Sequence, residues 1–66
     1  MVVTRHFEER MMQRNISGDE VIRTLEKPDF TYESSHSGNK MVYQRGSISI
    51  VIDERSKTLI TVWKNI

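Results

Sequence analysis

Apolar residues recur every three to four positions as far as Lys27 and every two positions beyond Pro28. In the first part, Val3, Phe7 and Met11 stand four apart, the stripe of a short helix opening at Thr4 and closing near Asn15. Thr4 is a capping residue type, and Glu8 and Glu9 suit a first turn, where the backbone N–H groups favour negative charge. A second helix is predicted from Gly18 to about Lys27. Ser17 with Glu20 makes a capping-box pattern, Ile16 can staple onto Val21, and Val21, Ile22 and Leu25 form the apolar side. Pro28 stops that helix and pushes Lys27 out of helical geometry. So short a connection forces the two helices to turn sharply against each other.

After Pro28 the alternation predicts four strands: Asp29–Glu33, Lys40–Arg45, Ile48–Asp53 and Thr58–Trp63. Phe30 and Tyr32 share one face of the first, and Ile48, Ile50 and Ile52 one face of the third. Ser34–Asn39 is a polar loop, Gly46-Ser47 a tight turn, and Glu54–Lys57 a hairpin loop. No gap holds a crossover helix, so the expected sheet is a four-stranded antiparallel meander. The fold class is therefore α+β, with two N-terminal helices packed on one face of that sheet as a single domain over residues 1–66. The expected core is Val3, Phe7, Met11, Val21, Ile22, Leu25, Ile48, Ile50, Ile52, Ile60 and Val62. The parity of the last strand is ambiguous. Ile60 and Val62 are placed inward, which leaves Thr61 and Trp63, with Tyr43 as a further candidate, on an open face suited to binding or dimerisation.

Composition narrows the function classes. A domain of 66 residues buries roughly 60% of its unfolded surface, and this one has no cysteine to staple it. Self-association, as a twofold homodimer, is therefore expected. The lack of thiols fits a reducing cytoplasm. No apolar run approaches a bilayer span, and Met1-Val2-Val3 is followed at once by charges, so a soluble protein without membrane contact or secretory signal is expected. Net charge is only +1, so any anion site must come from local clustering. No spacing of His, Asp and Glu makes a metal site, no glycine-rich phosphate loop is present, and no cofactor is expected. One local cluster does stand out. His6, Arg10 and Arg14 fall four apart, about 100° round the first helix from the apolar stripe. A packing face and, beside it, an imidazole with two guanidiniums share one short helix.

The order of residues resembles a family. His6, Glu9-Arg10-Met11, Arg14-Asn15-Ile16-Ser17, Val21, Leu25 and Pro28 are similar to the N-terminal signature of domain of unknown function 4258. Tyr43, Ile50-Val51-Ile52-Asp53 and Ile60-Thr61-Val62 continue it. The family commonly has glycine where Asn15 stands, and asparagine also tolerates left-handed geometry. The family is grouped with the barnase–EndoU–colicin–RelE fold of ribonuclease toxins. That resemblance implies a helix-then-antiparallel-sheet architecture, metal-independent RNA cleavage and a neutralising protein partner.

Such cleavage lets the 2′-hydroxyl attack its own phosphate, which requires proton carriers and cations for the developing charge. His6 can serve as base or acid, Arg10 and Arg14 can hold the phosphate, and Thr61 can orient an oxygen. Trp63 or Tyr43 can stack a base, and Lys40 adds a cation for RNA binding. A second proton carrier must come from His36, Glu9 or Tyr43. Each residue also has a plainer reading. His6 on an exposed helix face can be merely solvated, and Arg10 and Arg14 can pair with Glu8, Glu9 or Asp19. Thr61 is a good strand former, and Trp63 can close a small core or a dimer seam. Three classes therefore stay open: a toxin-type ribonuclease, a non-catalytic RNA- or protein-binding module, and a structural homodimer.

Overall fold

The computed structural model describes residues 1–34 and 39–65. Strand β1 (Val2–Val3) leads through Thr4 into helix α1 (Arg5–Arg14), and helix α2 (Gly18–Glu26) follows. Strands β2 (Phe30–Glu33), β3 (Lys40–Arg45), β4 (Ile48–Asp53) and β5 (Thr58–Lys64) complete the chain. The loop expected at Ser34–Asn39, His36 included, falls mostly outside the described residues.

Local sequence explains both helix ends at the α1–α2 corner. Asn15 takes the left-handed conformation (φ 57°), so its own N–H reaches the Met12 carbonyl and the Ile16 N–H reaches that of Met11 at 2.8 Å. This double bond pattern is a Schellman stop. It throws Ile16 inward, where it is buried with Val21 in the core. Ser17 then opens α2 with a complete capping box. Its side chain accepts from the Glu20 N–H at 3.2 Å, while Glu20 accepts from the Ser17 N–H at 3.1 Å. The Ser17 N–H, and the Ser17 hydroxyl donating at 3.1 Å to the same carboxylate, hold the Glu20 carboxyl below its usual range.

The sheet has five strands in the order β1-β5-β4-β3-β2, one more than the alternation predicts. The extra one, β1, runs parallel to β5 through Val2–Thr58 and Val3–Leu59, so the meander is not wholly antiparallel. Val3, expected on the helix stripe, is instead an exposed edge-strand residue. Two residues ahead of a capped helix are enough to pair, because α1 lies along β5 and brings its own start beside that strand.

Thr4 joins the two. Its hydroxyl donates to the Leu59 carbonyl at 2.9 Å and accepts the Phe7 N–H at 3.1 Å. Thr4→Ala removes a helix cap and a helix–sheet tie together, and is expected to cost about 1–2 kcal/mol. Urea denaturation measures this, and a loss below about 0.5 kcal/mol would show that the tie is solvated away.

Helices α1 and α2 cover one face, packing Phe7, Ile16 and Val21 onto Ile48, Ile50, Ile52, Leu59 and Val62. Besides Val3, two expected core positions differ. Ile22 is exposed, because α2 turns Val21 and Thr24 inward instead. Thr24 can be buried at 1% because its hydroxyl donates to the Glu20 carbonyl at 2.7 Å. On β5 a bulge resolves the ambiguous parity. Val51 pairs with Thr61 but Ile52 with Leu59, leaving Ile60 as the extra residue. Leu59 and Val62 therefore both point into the core, and Ile60 does not take the buried place expected of it.

The register sorts the other face. Trp63 pairs with Ser49, Ser49 with Gln44, and Gln44 with Phe30. Thr61, Val51, Val42 and Tyr32 form the next row. No helix covers these rows among the described residues. Lys40, paired with Asp53, lies on the same face.

Candidate functional site

Helix α1 runs the length of β5. It starts with Thr4 bonded beside Leu59, and it ends at the corner where Glu20 approaches Lys64 at 3.9 Å. Four helical residues advance about 6 Å and two strand residues about 6.6 Å. The row His6, Arg10, Arg14 therefore keeps step with Thr61, Trp63 and the residue after Lys64. The first match is made directly, with His6 Nε2 3.3 Å from Thr61 Oγ1. Thr61 shares the side of Val51, away from the helices, so this contact passes over the outer edge of β5. That edge is open there because β1 pairs only with Thr58 and Leu59.

His6 and Arg14 are exposed and Arg10 is half-buried. Among the described residues neither Arg10 nor Arg14 has an ion pair or hydrogen-bond partner for its guanidinium. Glu9, next to Arg10 in the chain, is paired with Arg5 at 3.4 Å. The two guanidiniums are thus without a protein partner among the described residues, and the imidazole sits at the head of their row, bonded to a hydroxyl.

Trp63, half-buried, shares the face of Thr61, as expected. Lys40 lies on that face too, but two strands away from Thr61. Tyr43 does not join them. It pairs with Ile50, so two-residue alternation turns it to the helix face, where it packs on the core. Its hydroxyl donates to Glu54 Oε1 at 2.8 Å, and Lys57 Nζ donates to Glu54 Oε2 at 3.0 Å. Lys57 and Tyr43 together lower the Glu54 carboxyl. The bond to that carboxylate raises the Tyr43 phenol, and the same partner raises Lys57. Tyr43 is accordingly a hairpin clamp and not a group beside His6. Sequence reasoning missed this trio because Tyr43 lies on β3, 11 residues before Glu54, and meets the Glu54–Lys57 loop only through the sheet.

A second cluster escaped the sequence reading. Arg23, Lys27 and Arg45 line a shallow cleft with Glu26 at the end of α2, where Arg45 Nη1 donates to the Lys27 carbonyl at 3.0 Å. Among the described residues no group of three His, Cys, Asp or Glu side chains could hold a metal ion, and no helix is long and apolar enough to cross a membrane.

No curated protein and no solved structure matches the chain. One family model does, described as Domain of unknown function (DUF4258), and it spans residues 3–64, from the second residue of β1 to the end of β5. The match includes the capped α1 with its row, the Asn15 corner and the bulged strand bearing Thr61. The chain belongs to that family of domains of unknown function.

Proposed function

We propose that this domain is a metal-independent endoribonuclease of toxin type, with the α1–β5 edge as its site. The observation that carries the reading is the His6–Thr61 contact at the head of two arginines that have no protein partner among the described residues. A phosphate of RNA laid along the edge meets Arg10 and Arg14. His6 Nδ1, the ring nitrogen that Thr61 leaves free, then takes the proton of the 2′-hydroxyl as its oxygen attacks phosphorus. The guanidiniums stabilise the charge that gathers on the non-bridging oxygens. The P–O5′ bond breaks, and the departing oxygen takes a proton from the imidazolium or from water. A 2′,3′-cyclic phosphate and a 5′-hydroxyl remain. Thr61 is a positioning residue, holding the ring so that one nitrogen is aimed.

A second reading, RNA binding without cleavage, is favoured by one specific observation. Of the groups considered as the other proton carrier, Glu9 is paired with Arg5 and Tyr43 with Glu54.

The test is purified protein with total RNA in excess chelator. Fragments ending in 2′,3′-cyclic phosphate are expected. Arg10→Ala and Arg14→Ala are each expected to lower the salt dependence of RNA affinity by about one unit of slope. Intact RNA bound with that slope would leave the binding module standing. RNA neither cut nor bound would end both readings.

A further inference from the structure

Phe30 and Tyr32 are an aromatic pair on the edge strand, 53% and 45% exposed, with ring centroids 6.2 Å apart and planes 26° from parallel. Such area in water is costly for a domain with so small a core, and it marks a surface that meets something. The register places the pair on the face that carries Thr61 and Trp63, the face His6 reaches over the β5 edge. Trp63 and Phe30 stand in a single cross-strand row, three strand spacings or about 14 Å apart. Between them lie only Ser49, which is fully buried, and the slender Gln44. One end of the row is thus an aromatic pair, the other an indole on β5, the strand along which α1 and its cations lie.

We infer that this open sheet face binds single-stranded RNA, with bases stacked on Trp63 and on the Phe30–Tyr32 pair while the phosphates enter along Arg10 and Arg14. The inference rests on the α1–β5 edge being an RNA site and names the form of RNA that site takes. Charge complementarity selects this occupant over a second copy of the chain. A twofold partner would bring its own free arginines to the same edge, whereas a phosphate backbone matches them. Stacking requires bases free of a duplex, since paired bases present only their edges in the grooves. Stacking of this kind is sequence-tolerant, because every base has a π-surface.

The probe is a single-stranded 2′-O-methyl RNA octamer of mixed sequence, which lacks the attacking hydroxyl and so cannot be cut, compared with its duplex. Trp63 is the only tryptophan, so its fluorescence reports the face directly. Quenching by the single strand and not by the duplex is expected. Phe30→Leu and Tyr32→Leu keep apolar area but remove the ring, and exposure of both sites leaves the fold in place. Each is expected to weaken single-strand affinity about tenfold with the salt slope unchanged. Equal affinity of these variants and the wild type, with Arg10→Ala still lowering the slope, would overturn the stacking face and spare the edge site. Loss of a dimer on Phe30→Ala, Tyr32→Ala in sedimentation, with RNA affinity unaltered, would assign the face to a second copy instead. No binding of any RNA by the wild type would remove the edge site and this inference together.

Discussion

Phe7→Ala is expected to leave the domain largely unfolded in dilute buffer. Phe7 is 1% exposed and is the one aromatic ring fully enclosed by the core, set between α1 and the row Ile50–Val62. Truncating a buried phenylalanine costs about 3–5 kcal/mol, since the transfer energy of the ring is lost and a cavity remains. A chain of this length has a total stability of only about 3–10 kcal/mol. No disulfide exists to limit the entropy of the unfolded chain. The neighbours cannot close the gap, because Ile50 and Val62 are fixed in paired strands and Phe7 itself follows directly on the Thr4 tie. Circular dichroism and urea denaturation measure the outcome. A loss under about 1.5 kcal/mol would mean that α1 is held to the sheet by something other than this ring.

His6→Ala is expected to lower RNA cleavage by on the order of 10²-fold or more while leaving the urea midpoint nearly unchanged. The side chain is exposed and contributes no core area, so its removal spares the fold. What disappears is the group proposed to accept the 2′-hydroxyl proton. Thr61→Val tests the geometry separately, because it keeps the branched shape that suits a strand and removes only the bond to Nε2. A smaller fall in kcat with RNA affinity unchanged is expected, since a misaimed imidazole loses rate and not binding. Full cleavage by His6→Ala would place the chemistry elsewhere. The cationic cleft of Arg23, Lys27 and Arg45 would then be the next place to look.

The parts of this molecule legible in the residues are those governed by neighbours in the chain. The Thr4 cap, the Asn15 left-handed stop, the Ser17–Glu20 box and the Pro28 break each depend on atoms within five positions of one another. Their geometry follows from residue type alone. The three long strands were legible for a similar reason: alternation with period two survives whatever the strand pairs with. The row His6, Arg10, Arg14 was legible as well, because helical spacing alone aligns it.

Long-range pairing decided the rest. Val2–Val3 has no periodicity to announce a strand, and it becomes one only because α1 returns its start to β5. The bulge at Ile60 cannot be read from Thr58–Lys64, where either parity buries two apolar residues. Pairing with Ile52 and Val51 selects Leu59 and Val62. Tyr43 and Trp63 look alike as candidate stacking rings, yet one step of register against Ile50 and Ser49 sends them to opposite faces. The sequence by itself therefore determined the elements, their caps and the composition of the cationic row. The tertiary structure alone decided which face each strand residue joins, and hence that Thr61 meets His6. The reason is that side-chain direction in a sheet reverses with every residue, so a single shift in pairing, invisible to local forces, reassigns a whole face.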